Sequence, residues 1–518
     1  MPTLADQRRL IDALQKMHAA RVIETHISWV LLIGEYAYKI KKAVDLGFIN
    51  YLSLSSRENF CAEELRLNRR TAPDLYLEVV NIGGSVDAPQ FGVQPAIEYA
   101  VKMRRFADDV LMDTRVQKGS VDPSHIDSLA GIVARFHEQA AALDTHSSFA
   151  TAGTIRAVAI QNFEQMRTLL KDDNDLQQLA TLEQKTGEEW QACVALFELR
   201  RREGRVRECH GDLHLGNIAL IDEEPVPFDC IEFSPELRWI DVMDEVAFTM
   251  MDLLHHGRSD FAWRYLNAYL EASGDYEGVG VLRFYLAYRA AVRAKISAIR
   301  TSQSGISSEA RDQHLQACRA HLALAQLCLS DGRPALIITH GLPGSGKTTF
   351  AQYALEQLGA VRIRSDVERK RIFGLSALEG SSKLHVDIYS KEATSRTYGR
   401  LLALARTLLT AGYPVVVDAA FLKIEERQQF RALAQEIASP FVIATLDADE
   451  SILRDRIESR RHDASEADVN VFEKLQAVQQ KLSATEMKVN LRFNTSKPPQ
   501  SAGNAHSWIG LLKHVYKI

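Results

Sequence analysis

A chain of 518 residues is too long for one typical hydrophobic core and predicts two to four domains. With 46% hydrophobic and 25% charged residues it has a globular rather than a disordered composition, and a net charge of −5 gives no support to a basic nucleic-acid-binding chain, though a local basic patch stays open. Single cysteines at 61, 193, 209, 230, 318 and 328, no apolar leader and no apolar run near the ~18 residues of a membrane helix predict reduced thiols in a cytosolic protein.

In chain order, residues 5–20 read as an amphipathic helix. Thr25 to Ile33 and Tyr36 to Lys42, joined at Gly34-Glu35, read as a β-hairpin. Lys39 sits among apolar neighbours in the second strand, where a buried charge is costly without a partner. The helix expected from about Ser56 to Arg70 offers Glu63 and Glu64. The favoured pairing is Lys39 with Glu64, the strand-lysine and helix-glutamate device that holds ATP phosphates in protein-kinase-like folds, with Lys41 and Glu63 as the alternatives for another register. Strand-like pieces follow at Leu75–Ile82 and Glu98–Arg104, and the pattern turns helical from 121 to 203.

Then comes Glu208-Cys-His-Gly-Asp-Leu-His-Leu-Gly-Asn-Ile218, an HxDxxxxN arrangement of His210, Asp212 and Asn217, with Asp229 twelve residues beyond Asn217 in Val226-Pro-Phe-Asp-Cys-Ile-Glu-Phe233. Asp212 can accept a hydroxyl proton while Asn217 and Asp229 coordinate the Mg²⁺ that bridges ATP phosphates. His214 has no necessary role. Asp241 and Asp244, on one face of the next helix, are expected to brace this loop. Arg289 and Arg293 on a later helix are expected to form a solvated stripe or an interdomain contact.

HGDLHLGN followed by PFDCIEF resembles the aminoglycoside phosphotransferase and choline kinase branch of the protein-kinase-like fold over residues 20–300. The resemblance implies Asp212 as catalytic base, Asn217 and Asp229 as metal ligands, and Lys39 with Glu64 at the ATP phosphates. One departure is the lack of a Gly-rich nucleotide loop, since Gly34 stands alone in the hairpin.

Ser330-Asp-Gly-Arg-Pro334 interrupts the helical pattern and reads as the linker between domains 1–329 and 335–518. Directly after an apolar, β-branched strand at 335–339, Gly341-Leu-Pro-Gly-Ser-Gly-Lys-Thr348 fills the pattern GxxxxGK[ST] and is followed by helical spacing, the context a phosphate-binding loop needs. Gly341, Gly344, Ser345, Gly346, Lys347, Thr348 and Thr349 form the predicted nucleotide-binding set, with backbone N–H groups turned onto phosphate, Lys347 at the β/γ-phosphates and Thr348 on Mg²⁺. Asp366, at the tip of the strand ending at Ile363 and expected beside the phosphate loop, is placed for a general base; the other reading is a helix N-cap. Asp418, ending the apolar strand 413–417, has a Walker-B-like position for the metal. Arg456 and Arg460, on one face of an Arg-rich helix, are expected to close over the transferring phosphoryl group.

This order resembles the small P-loop kinases of hydroxyl groups, such as polynucleotide 5′-kinase, zeta toxin, chloramphenicol phosphotransferase and gluconate kinase. Both halves together resemble bacterial fusions of an aminoglycoside phosphotransferase domain with an AAA-type ATP-binding domain. The expected fold is therefore an α+β protein-kinase-like N-terminal domain, with a small β-rich lobe and a helical large lobe, followed by an α/β P-loop domain with a doubly wound parallel sheet. The expected function is an ATP- and Mg²⁺-dependent phosphotransferase with two sites acting on small-molecule hydroxyl groups. Two alternatives stand beside it: a nucleic-acid 5′-hydroxyl kinase in the C-terminal half, with a basic groove at Arg362, Arg364, Arg369, Lys370 and Arg371, and an ATP-driven switch with a ligand-binding N-terminal half.

Overall fold

The computed structural model describes residues 3–47, 49–144, 146–303, 305–379, 388–459, 464–465 and 469–516. Contacts divide the chain into two compact units, residues 1–183, 190–252 and 288–319 in one and 184–189, 253–287 and 320–518 in the other. The division does not follow the linker expected at 330–334.

The first unit opens with a six-stranded antiparallel sheet built from β1 (Arg21–Glu24), β2 (Ser28–Ile33), β3 (Tyr36–Lys41), β4 (Tyr76–Ser85), β5 (Ala88–Phe91) and β6 (Glu98–Arg104), in the order β1-β2-β3-β6-β4-β5. The helix Leu4–His18 starts at a capping box, Thr3 Oγ1 accepting from the Asp6 amide at 3.2 Å and Asp6 Oδ2 from the Thr3 amide at 2.9 Å. Its apolar stripe, Leu10, Ile11 and Leu14, buries against Trp29, Leu31 and Ile40 of the sheet. The helix Leu54–Asn68 begins at Ser53, whose hydroxyl accepts from Ser56 N at 3.0 Å, and packs Cys61 with Tyr76 and Val101. Helices Pro123–Gln139, Ala152–Leu169 and Asp173–Arg202 follow. Next come β7 (Val206–Glu208), the hairpin β8 (Ile218–Ile221) and β9 (Glu224–Pro227), and β10 (Trp239–Asp241), which pairs with β7. Asp241, expected to share a helix with Asp244, thus ends a short strand instead, and the buried helix is Val242–His255.

The second unit is centred on a parallel sheet of β11 (Leu336–His340), β12 (Val361–Arg364), β13 (Val415–Asp418), β14 (Phe441–Asp447) and β15 (Asn490–Asn494), in the order β12-β13-β11-β14-β15. Its central strands are buried throughout, as parallel strands covered on both faces must be. One face packs Ile337, Val416 and Val442 against Phe350, Ala354 and Leu511 from the helices Lys347–Leu358 and Ala505–Tyr516. Helices Lys391–Thr410 and Ile424–Glu436 pack on β13 and β11 as well.

The helix Ser259–Ser273 belongs to this unit for a reason that lies in hydrogen bonding. β12 is an edge strand, and Asn267 pairs with its backbone, donating to Ala360 O at 2.9 Å and accepting from Arg362 N at 2.6 Å. Glu271 meets Arg362 at 2.9 Å and Arg364 at 2.7 Å. An edge that would otherwise show unpaired amides is covered.

Candidate functional site

In the first unit the hairpin β2–β3 pairs Val30 with Lys39, leaving Lys39 and Lys41 on one face because strand side chains alternate. Lys39 Nζ lies 2.8 Å from Glu64 Oε1 and 2.6 Å from Asp229 Oδ1. Lys41 Nζ lies 2.7 Å from Glu64 Oε2 and also pairs with Glu232, which accepts from Tyr51 Oη at 3.0 Å. The expected choice between Lys39 and Lys41 is therefore no choice, since residues two apart on a strand share a face and a carboxylate has two oxygens. Glu63, the other candidate, points elsewhere and bonds Arg66 and Arg238. Burial opposes charge on these groups, but the neighbouring carboxylates override it for Lys39, raising its pKa well above the ordinary lysine value. Glu64 is lowered likewise, desolvation being outweighed by Lys39 and Lys41.

Asp229 sits at the end of β9 with a φ of 65°, a left-handed conformation uncommon outside glycine, and its amide donates to Tyr76 Oη at 3.2 Å. Across the β8–β9 hairpin, the Phe228 amide donates to Asn217 O at 2.9 Å, so the two predicted metal ligands meet at one end of that hairpin. The Asn217 side-chain nitrogen donates to Asp212 O at 2.9 Å and to Asp212 Oδ2 at 3.1 Å, which orients Asp212 and leaves the Asn217 amide oxygen as the atom for a cation. His210 is fully buried, its Nε2 against Phe228 O at 2.8 Å and its Nδ1 accepting the Asp212 amide at 3.3 Å. His214, expected to be a plain loop residue, has Nε2 3.6 Å from Asp212 Oδ2.

The loop is braced from below by groups that composition cannot reveal. Glu245 accepts from Gly211 N at 2.7 Å and holds His137 at 2.8 Å. Asp252 takes Leu215 N at 2.9 Å. Asp244 makes a two-pronged pair with Arg289 (2.6 and 2.9 Å), whose third nitrogen donates to Gly211 O at 3.2 Å. Asp244 therefore braces the loop through Arg289, and Asp241 pairs with Arg200 at 2.7 Å. Arg289 is buried rather than part of a solvated stripe, so that expectation is corrected.

In the second unit β11 runs directly into the phosphate loop and the helix Lys347–Leu358, whose N-cap is Gly346. Gly344 has φ 79°, and a Cβ there would come 2.6 Å from Leu453 O, so only glycine fits. Lys347 Nζ rests on Gly341 O at 3.1 Å and Leu342 O at 2.8 Å, and the buried Ser345 hydroxyl has no hydrogen-bond partner among the described residues. A polar atom left unpaired in a glycine-rich turn at a helix N-terminus fits an anion-binding loop. The Thr348 hydroxyl lies beside Asp418, on the strand β13 next to β11, and burial pushes the Asp418 pKa up despite Arg364, Arg362 and Lys347 nearby. A buried carboxylate of that kind beside a hydroxyl is a donor set suited to Mg²⁺.

Lys347, Thr348, Thr349, Asp366, Asp418 and Arg456 all line one cavity of about 1080 Å³. Asp366 is the second residue of the helix Ser365–Ile372, so it is not the N-cap, a position held by Arg364. β12, which delivers it, is not beside the phosphate-loop strand as expected, because β13 intervenes. Arg456 donates to Gly344 O at 3.3 Å and Thr495 O at 2.7 Å, tying the loop to the end of β15. Arg460 lies outside the described residues. The expected basic groove is not formed: Arg362 and Arg364 pair with Glu271, Arg371 pairs with Glu368, Lys370 donates to Ala377 O at 3.1 Å and Arg369 to Ile388 O at 2.9 Å.

The uncharacterized protein Rv2004c of Mycobacterium tuberculosis is 32% identical over 493 residues, a match covering 94% of this chain and 95% of that protein. The chain belongs to that family. Within it, residues 336–482 match the family described as an AAA domain, over the phosphate loop, Asp366 and Asp418. Among solved structures, a choline/ethanolamine kinase family protein from Mesorhizobium loti is 12% identical, with a TM-score of 0.39, covering 63% of this chain and all of that one. Kti12 of Chaetomium thermophilum, solved with ADP-AlF3, is 18% identical, with a TM-score of 0.28, covering 35% of this chain and 98% of that one. The HxDxxxxN motif lies in the first unit and the AAA-domain match, with its phosphate loop, in the second. No helix among the described residues is long and apolar enough to cross a membrane.

Proposed function

We propose that this protein is an ATP-dependent phosphotransferase with two separate nucleotide sites, each passing the γ-phosphoryl group to a hydroxyl group of a small molecule. The observation that supports it best is the single cavity lined by Lys347, Thr348, Asp418 and Asp366, in which a phosphate loop and a carboxylate face the same space. In that site Lys347 exchanges the Gly341 and Leu342 carbonyls for phosphate oxygens, and Asp366 takes the proton of the acceptor hydroxyl. In the first unit Lys39, steadied by Glu64, binds phosphate, and Asp212, oriented by Asn217, takes the proton. Thr348 with Asp418, and Asn217 with Asp229, would hold Mg²⁺, which supplies neutralisation of charge on the phosphates. Both sites work by positioning and electrostatics rather than by a covalent enzyme intermediate.

The test supplies ATP with a mixed pool of hydroxyl compounds and follows both ADP and phosphorylated product. Asp212→Asn and Asp366→Asn are expected to remove two different activities, each by roughly 10²–10⁴-fold. If ADP forms while neither substitution alters transfer, the two-site reading fails.

A further inference from the structure

The loop that carries Asp229 meets strand β3 twice. Lys39 and Lys41 project from one face of the strand, and each takes a carboxylate from the loop, Lys39 pairing with Asp229 at 2.6 Å and Lys41 with Glu232. Glu64 lies between the two lysines with one oxygen on each, at 2.8 and 2.7 Å. Two ammonium groups therefore face three carboxylates. The two loop acids differ in exposure: Asp229 keeps 42% of its side chain open to solvent and Glu232 only 4%. Glu232 also accepts from the Tyr51 hydroxyl at 3.0 Å, and its backbone carbonyl accepts from Arg238 at 3.2 Å. Burial works against charge on Lys41, yet Glu232 and then Glu64 outweigh it and raise its pKa above the ordinary lysine value.

The surplus carboxylate decides what Asp229 is free to do. For Lys39 to meet phosphate and Asp229 to hold a metal ion, the pair between them must open. With Glu232 in place Asp229 can leave, and each lysine keeps a carboxylate of its own, Glu64 for Lys39 and Glu232 for Lys41. Without Glu232, Asp229 is one of two anions serving two cations, and its departure leaves one ammonium group uncompensated. In so buried a cluster that step costs far more than at the surface, so Asp229 is held back.

Resting on the reading of the first unit as a nucleotide site, we propose that Glu232 is a positioning residue of that site: by neutralising Lys41 it releases Asp229 from β3 to the metal ion. Its own bond to the strand keeps the loop in place when the pair between Lys39 and Asp229 opens. Glu232, buried on Lys41 and Tyr51, acts through Asp229 rather than on the nucleotide.

The experiment uses the full-length protein carrying Lys347→Ala, which silences the phosphate loop, and titrates a non-hydrolysable ATP analogue by calorimetry with Mg²⁺ and, in a parallel arm, with a chelator. The ratio of the two affinities reads how well Asp229 serves the metal. Glu232→Gln is expected to lower that ratio roughly fivefold or more, the size of a coupling between two bound species, while metal-free binding becomes no weaker. Lys41→Met, which shifts the balance the other way, should keep the ratio and weaken metal-free binding, so the proposal stays open to refutation even where Glu232→Gln does not fold. The double variant Lys41→Met with Glu232→Gln restores the surplus of one carboxylate and is expected to recover the parent's ratio, which a merely structural role would not do. Thermal unfolding of each variant checks that the fold is kept. A parental ratio in folded Glu232→Gln, equal weakening of both arms, loss of the ratio in Lys41→Met, or no recovery in the double variant overturns the proposal. Absence of analogue binding in both arms before Glu232 is touched, or binding indifferent to Lys39→Met, would instead sink the nucleotide-site reading of the first unit, and the proposal with it.

Discussion

Glu64 is the residue on which the first site's charges converge, two ammonium groups on one buried carboxylate. Removing its charge leaves Lys39 and Lys41 to Asp229 and Glu232 alone, and breaking a buried pair from one side typically costs about 3–5 kcal/mol. Glu64→Gln is therefore expected to lower the first unit's stability by that order in urea unfolding, whereas Glu63→Gln should cost about 1 kcal/mol or less. Equal losses would contradict the assignment of Glu64 as the hub. The residue was nameable from sequence because a lysine in an apolar strand demands a partner. Glu232 was not, because nothing local marks it: it lies three residues past Asp229 and meets Lys41 only when strand and loop come together. His340, one residue before the phosphate loop, carries a pH prediction. Burial, with the Arg427 charge adding to it, drops its pKa from 6.5 to about 4, and its Nε2 has no hydrogen-bond partner among the described residues. Above pH 6.5 it is neutral folded or unfolded. Between 6.5 and 4 the unfolded chain takes up a proton that the folded one refuses, so stability falls with pH, by about 3 kcal/mol across the window. His340→Asn should flatten that acid limb relative to the parent in unfolding curves at pH 7 and 4.5; parallel curves would refute the linkage.

At the scale of elements, β11 and β13 were legible because parallel strands covered on both faces read as short continuous runs of β-branched and apolar residues. β15 was not, since Asn490-Leu-Arg-Phe-Asn494 is an edge strand with one fully buried side chain, Phe493. Asp366 was found by its place after a strand, but the strand's rank in the sheet was not, because order depends on crossovers that local pattern does not encode. The helix Ser259–Ser273 tells most about element pairing. Asn267 serves a donor and an acceptor of β12, so Asn267→Ala strands two buried backbone groups at once and should destabilise the second unit by about 2–5 kcal/mol. Hydrogen exchange at Arg362 N–H reads this out directly; unchanged protection would show that the side chain is dispensable.

For the whole molecule, two unlike units and their motif order follow from the sequence, since GxxxxGK[ST] and HxDxxxxN each carry a mechanism in their spacing. The border between the units does not. Gly and Pro at 332 and 334 mark where a helix must stop, which is a local event, whereas membership of a unit is settled by long-range contacts such as Arg264 with Glu356 at 3.0 Å and Trp263 packed on Gly359. Asp244 was expected as a brace under the first site, but its partner was hidden for the same reason: Arg289 reaches Asp244 from 45 residues away, and no periodicity announces it.

Asn267 leaves the ribosome 93 residues ahead of Ala360. At about 5–20 residues per second, that is a wait of roughly 5–20 s in which the helix has no strand to cover. The nascent chain must therefore keep a half-made surface in reserve while it returns to finish its first unit with residues 288–319. A gene fragment cut at the Gly and Pro near 334 would never be given that helix at all. Such a piece should be born with a bare sheet margin and a tendency to clump, and one that begins near residue 253 should not.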